Sequence, residues 1–180
     1  MAESEGAQLD RMLAVAALLR TVLGGSPVVV GGVAEMYWTR LPYHPTDLDV
    51  CAPLGPEDVQ RLLGAGFVRD GRHWWHEQRG VAVEFPEATA DADPARLHEH
   101  AGALIIGVSD LYLDRLRQST ANDNPNSVEH QSLLAVASSC MEIIDWSYVR
   151  RRIAAEPDHL RTPMRRNHRA ARGTARRALR

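Results

Sequence analysis

A strand-length apolar run that stops on two glycines constrains this chain more than any other feature. Val28-Val29-Val30 is long enough for a buried strand and too short for a helix. Gly31 and Gly32 follow at once, and two residues without a Cβ permit a tight turn and close approach of a ligand to backbone N–H groups. Val33 to Arg40 then reads as a short helix whose N-terminus faces that space, a place that suits phosphate. After a turn marked by Pro42 and Pro45 comes a second strand, Thr46-Asp47-Leu48-Asp49-Val50-Cys51. Side chains alternate along a strand, so Leu48 and Val50 point into a core while Asp47 and Asp49 leave by the other face. Two such carboxylates repel each other unless a cation lies between them, and a hard divalent ion such as Mg2+ is the usual partner.

Around this stretch the chain reads as alternating helices and strands, hence an α/β (α+β) fold with a mixed sheet. Gln8 to Leu23 carries Leu9, Met12, Leu13, Ala16, Leu19, Val22 and Leu23 at helical spacing and stops at Gly24-Gly25. Gly55-Pro56-Glu57-Asp58 starts another helix, with proline in the first turn and acids where the helix dipole favours them. Phe67 to Asp70, His73 to Glu77 and Val81 to Phe85 are three short runs separated by Asp-Gly-Arg and Arg-Gly turns, the pattern of an antiparallel meander. In the last run Val81, Val83 and Phe85 share one face, and Glu84 leaves by the other as the candidate third carboxylate.

Beyond the meander, Pro86 to Ala101 is rich in Ala, Asp and Pro and reads as a loop or broken helix. Leu104 to Val108 is a strand, and Ser109-Asp110 caps a helix from Leu111 to Gln118. Thr120 to Asn126 is a polar connection and the candidate hinge. Ser127–Ser139 and Trp146–Ala155 read as a helical hairpin, and the segment after Pro157 as a solvated, disordered or helical basic arm. The implied division is an α/β core over 1–119, a helical part over 120–157 and a basic tail over 158–180.

A lone Asp-x-Asp is most often a solvated sheet face and a lone Gly-Gly a turn. The order strand, Gly-Gly, helix, turn, Asp-x-Asp strand is more specific, and it resembles the nucleotidyltransferase superfamily. That superfamily takes in polymerase beta, the minimal nucleotidyltransferases and the toxin-type nucleotidyltransferases of abortive-infection systems. The run LIIGVSDLYLDRLRQ is similar to the corresponding strand and helix of several such families. The resemblance implies that Asp47, Asp49 and Glu84 bind Mg2+ and that Gly31 and Gly32 hold the triphosphate. It implies transfer of a nucleoside monophosphate from an NTP to an RNA 3′ end, such as that of a tRNA, or to a protein hydroxyl, in the setting of a toxin–antitoxin system with a cognate partner. The second glycine-motif position is often Ser in the family and is Gly32 here, which removes a hydroxyl that would bond phosphate. The alternative is a catalytically inactive protein of the same fold that works by binding, as an antitoxin does. A third reading, a DxD glycosyltransferase, sits poorly with the short chain and the early motif.

Other groups keep two readings each. His44 precedes the Asp-x-Asp strand as a phosphate contact or a turn residue, and Arg40 and Arg79 are phosphate candidates because a guanidinium bonds phosphate oxygens in pairs. His73-Trp74-Trp75-His76 is a base-stacking surface or sheet packing. His98-Glu99-His100 lacks further ligands at a telling spacing. The chain has no lysine, so Schiff-base and P-loop lysine chemistry are excluded. All 21 basic residues are arginine, and eight fall in Arg161 to Arg180, a segment with no acid. The net charge of −2 therefore splits into −10 up to residue 160 (13 Arg, 23 acids) and +8 beyond it. That basic end favours RNA as the acceptor. Cys51 and Cys140 have no paired spacing and read as small buried hydrophobes. No apolar run approaches the ~20 residues of a membrane span, and the start MAESEGAQLD lacks the basic opening of a signal peptide, so a cytoplasmic location is expected.

Overall fold

The computed structural model describes residues 4–42, 45–122 and 124–178. The fold is α/β, and the chain divides into two compact units. The first contains the described residues up to Tyr37 and from Pro42 to Gly107; the second contains Trp38–Leu41 and the described residues from Val108 onward. The division falls between Gly107 and Val108 rather than at 119/120, and no break separates residues 158–178 from the helices before them.

The first unit holds a seven-stranded sheet among the described residues: β1 (Val28–Val29), β2 (Asp47–Cys51), β3 (Phe67–Asp70), β4 (His73–His76), β5 (Val81–Glu84), β6 (His98–His100) and β7 (Ala103–Ile105). Their order across the sheet is β3-β4-β5-β2-β1-β7-β6. β1 runs parallel to β7 and β2 parallel to β5, while the other neighbours are antiparallel. Helix α1 (Glu5–Leu23) is capped by Ser4, whose side chain accepts from Ala7 N, and stops at Gly24 in the left-handed region. Its buried stripe of Leu9, Met12, Leu13, Ala16 and Leu19 packs on β2, β5 and β7 and on α3 (Pro56–Gly64).

Leu48 and Val50 on β2 and Val81 and Val83 on β5 are all buried at 1% exposure or less. Burying a side chain such as Leu48 contributes about 2 kcal/mol. A one-residue slip of β2 would therefore expose both of its apolar residues, and this fixes the register that puts Asp47 and Asp49 on the opposite face.

The loop or broken helix expected over Pro86–Ala101 holds one 3-10 turn, Pro94–Arg96, and then ends in β6, an edge strand. Ala101 and Gly102 connect it to β7 with φ of 48° and 83°, a two-residue hairpin with both positions left-handed. Such turns usually carry Asn-Gly or Asp-Gly, and Ala-Gly hides the signal. The strand expected over Leu104–Val108 stops at Ile105. A Cβ on Gly107 would overlap Arg96 O and stand 3.2 Å from its carbonyl carbon, so the chain passes here only as glycine.

The second unit is helical: α4 (Val108–Asn122), α5 (Val128–Ser139), α6 (Trp146–Ala155) and α7 (Asp158–Ala178). α5 and α6 each pack on α4 and α7, so they do not form the expected hairpin with each other. Ser109 and Asp110 lie inside the first turn of α4 and are buried there, not placed ahead of it as caps. Ser109 Oγ accepts from Asp145 N at 2.9 Å. Asp110, wholly buried, accepts from Tyr148 Oη at 2.6 Å, and Arg152 donates to that same hydroxyl at 2.6 Å. The polar segment expected as a hinge begins inside α4, which continues to Asn122. The basic end is a helix with a buried face rather than a solvated arm: Met164, His168, Ala171 and Ala175 are all buried.

Candidate active site

Strand register brings the sequence candidates together. Asp47 pairs with Ala82 and Asp49 with Glu84 across β2 and β5; Ala82 pairs with Trp75 and Glu84 with His73 across β5 and β4. Two rows thus cross three strands on the face opposite α1. One row is Asp47, Ala82, Trp75, and the other is Asp49, Glu84, His73. The neighbours on the other face, Leu48, Val83 and Trp74, are buried at 3% exposure or less.

Ligand atoms of Asp47, His73 and Glu84 all lie within 4.8 Å of one another. Glu84 Oε1 is 2.7 Å from His73 Nδ1 and 3.7 Å from Arg72 Nη2. The Glu84 side chain is one-fifth exposed, and Thr46 Oγ1 donates to Asp47 Oδ1 at 3.2 Å. Two carboxylates and one imidazole on an open sheet face suit a divalent cation. The carboxylates are donors for Mg2+ or Mn2+, whereas the imidazole inclines the set toward Mn2+ or Zn2+.

Asp49 is placed differently from Asp47. Gly31 opens helix α2 (Gly31–Thr39) with φ of 62°, and a Cβ there would overlap Asp49 Oδ2 and stand 2.8 Å from Asp49 Cγ. The Asp49 carboxylate thus lies against the first residue of α2, where the N–H groups of a helix start attract negative charge. Val30 N donates to Asp49 O at 3.0 Å and holds the strand against that turn. Gly32 stands in the first turn of the same helix.

The remaining candidates are scattered. Arg40 follows α2 in the left-handed region at φ 56°, exposed, and belongs with the second unit. Arg79 is exposed in a 3-10 turn, where its carbonyl accepts from Arg11 at 2.9 Å. His44 lies outside the described residues. Trp75 is 45% exposed on the face of the carboxylates, whereas Trp74 and His76 are buried on the other face, His76 edge-on to Phe67. His98 and His100 flank the Tyr37 ring, with Tyr37 Oη 2.8 Å from His98 Nε2, and join no cluster of metal-binding groups among the described residues.

His73, read from the sequence only as a stacking or packing residue, joins the cluster with Asp47 and Glu84. Alternation along β4 places it on the correct face, but only the β4–β5 register sets it opposite Glu84. No helix among the described residues is long and apolar enough to cross a membrane. A scan against models of protein families finds no match to this chain, and a search of curated proteins finds no significant relative.

Proposed function

We propose that this chain is a metal-dependent nucleotidyltransferase that moves a nucleoside monophosphate from an NTP to a hydroxyl acceptor. The observation that carries the reading is the meeting of three separate stretches of chain: Asp49 lies against Gly31 at the start of α2 and, through the β2–β5 register, opposite Glu84. A helix start, a left-handed glycine and a row of carboxylates are what a metal-bound triphosphate needs.

In this mechanism the first N–H groups of α2, at Gly31 and Gly32, bond the phosphates without a charged side chain. Asp47, Glu84 and His73 would hold a divalent cation, Mg2+ or Mn2+, and Asp49 would be free to turn from the helix start toward them once a phosphate took over that position. A cation held there would neutralise charge on the triphosphate and acidify the attacking hydroxyl. That hydroxyl would lose its proton to solvent water and attack the α-phosphorus in line, the bond from the α-phosphorus to the bridging oxygen would break, and pyrophosphate would leave. Trp75 offers an exposed indole two strands from Asp47, with only the methyl of Ala82 between them, as a stacking surface for the base. The acceptor is an RNA 3′ end or a protein hydroxyl, and the basic C-terminal helix inclines the reading toward RNA.

A second reading, a catalytically silent protein of this fold that acts as a binding or antitoxin-like partner, is favoured by the close pairing of Glu84 with His73. The experiment is calorimetric titration of ATP, GTP, CTP and UTP into the protein with Mg2+, with Mn2+ and with a chelator, repeated on Asp47→Asn/Asp49→Asn. Metal-dependent binding of a nucleotide that the double variant loses supports the enzyme reading. A folded protein that binds no nucleotide with either metal sinks it and leaves the second.

A further inference from the structure

The second unit contains a feature that the nucleotidyl site does not use. A cavity of about 450 Å³ lies between α6 and α7, within the size range of small-ligand pockets. Five arginines line it, Arg150 from α6 and Arg165, Arg169, Arg172 and Arg176 from α7, and no carboxylate does. Among the described residues none of the five pairs with a carboxylate. By contrast, Arg152 and Arg117 nearby are paired with Asp110 and Glu156.

The four arginines of α7 follow one another at steps of four, three and four residues, so they form a single stripe about 16 Å long at 1.5 Å per residue. Arg172 is held in place with its guanidinium 5.0 Å above the Trp146 ring, and its Nε is buried without a hydrogen-bond partner. Burial, together with the charges of Arg176 and Arg150, weakens its hold on its proton. Gly173 also lines the cavity, in mid-helix, where glycine costs roughly 1 kcal/mol relative to alanine. Its missing side chain leaves the space between the arginines clear. Ile153 and His168 complete the lining.

A solvated basic helix would spread its arginines outward and pair some of them with acids. Here like charges are gathered around a concave space, one buried donor has no partner, and a single monovalent anion would neutralise only a fraction of the charge. We propose that the cavity between α6 and α7 binds phosphates in series, supplied either by a free oligophosphate or by the backbone of a nucleic-acid strand. The guanidiniums bond successive phosphates in pairs of N–H donors, and Arg172 Nε gains the partner it lacks. This inference goes beyond the nucleotidyl site and does not depend on it.

The test uses the full chain in a chelator-containing buffer, so that no metal-dependent nucleotide binding contributes. Inorganic tripolyphosphate is titrated calorimetrically, and a fluorescein-labelled single-stranded RNA of ten uridines is followed by polarisation from 50 to 200 mM salt. The same is done for Arg165→Gln/Arg169→Gln/Arg176→Gln, whose positions are exposed, and for Gly173→Leu, which fills the cavity without changing charge. Binding of RNA, with a log–log salt slope that falls by about 2 in the triple variant at ~0.7 per lost phosphate contact, assigns a nucleic-acid strand. Binding of tripolyphosphate alone, weakened at least tenfold by either variant, assigns a free oligophosphate. Absence of binding by both probes, or affinities that neither variant changes while circular dichroism shows them folded, overturns the proposal.

Discussion

Replacing Gly31 by alanine tests the geometry on which the candidate active site rests. The residue sits at φ 62°, where an L side chain costs roughly 1–2 kcal/mol relative to glycine. The new Cβ would also stand 2.8 Å from Asp49 Cγ and 3.0 Å from Asp49 Cβ, so the whole Asp49 side chain must leave its rotamer, at about 1 kcal/mol. Moving the carboxylate away from the start of α2 removes a further ~0.5 kcal/mol of favourable interaction with the helix dipole. The sum is a loss of about 3 kcal/mol, which at roughly 1.5 kcal/mol/M lowers the urea midpoint by about 2 M.

The assay is a double-mutant cycle in urea with Asp49→Ala as the second substitution. In the Asp49→Ala background the strained φ remains but the clash with Cγ and Oδ2 is gone, so Gly31→Ala should cost only about 1–2 kcal/mol there. A coupling of about 1 kcal/mol or more is the expected result. Equal costs in the two backgrounds would refute the close approach of Asp49 to α2, and with it the argument that Asp49 shares the helix start with a phosphate.

Three further outcomes are expected. If the proposed cation site is occupied, Glu84→Gln, which takes a charge from the cluster with Asp47 and His73, should weaken Mn2+ binding at least tenfold by calorimetry while changing the urea midpoint little, because its ion pairs are partly exposed. Tyr148→Phe removes the hydroxyl that donates to the fully buried Asp110 and should cost about 1–3 kcal/mol in urea denaturation. Burial and the nearby Arg172, Arg150 and Arg169 lower the pKa of His168 from 6.5 to about 4, so between those values the unfolded chain binds a proton that the native state refuses. The stability His168 contributes is complete above pH 6.5 and falls as the pH drops toward 4. At most it amounts to roughly 3 kcal/mol, reduced to about 2 kcal/mol by solvent in the adjoining cavity. Urea midpoints between pH 7 and 4.5 should show a shallower decline in His168→Gln than in the native chain.

Elements whose apolar pattern is strong and whose ends are chemically marked could be read from residue order alone. Helix α1 has a full apolar stripe and Gly24 after it, although it starts at Glu5, ahead of the expected Gln8, and burial alternates along β2 from Asp47 to Val50 and along all of β5. Alternation also placed Asp47, Asp49 and Glu84 on one kind of face. It did not say which strands lie side by side, because β2 and β5 pair across more than thirty residues through two intervening strands and a helix. The meeting of His73 with Glu84 and Asp47 depends entirely on that long-range register. Ser109 and Asp110 failed as caps for a different reason. Their polar side chains are satisfied inside the core by Asp145 N and Tyr148 Oη, partners distant in sequence.

The buried face of the C-terminal helix was hidden by the size of its residues rather than by the lack of a period. Met164, His168, Ala171 and Ala175 repeat at four, three and four residues, but two alanines and a histidine carry little hydrophobic signal. Arg165, Arg169, Arg172 and Arg176 repeat in the same way one residue later. One residue is about 100° around a helix, so the arginine stripe cannot lie opposite the buried stripe; it must run along its edge, where α7 turns toward α6. Charge placed at that edge borders the packed core as well as open water. That is why the most basic stretch of the chain lines a cavity, and why substitutions there should be read as changes to a binding surface before they are read as changes to solubility.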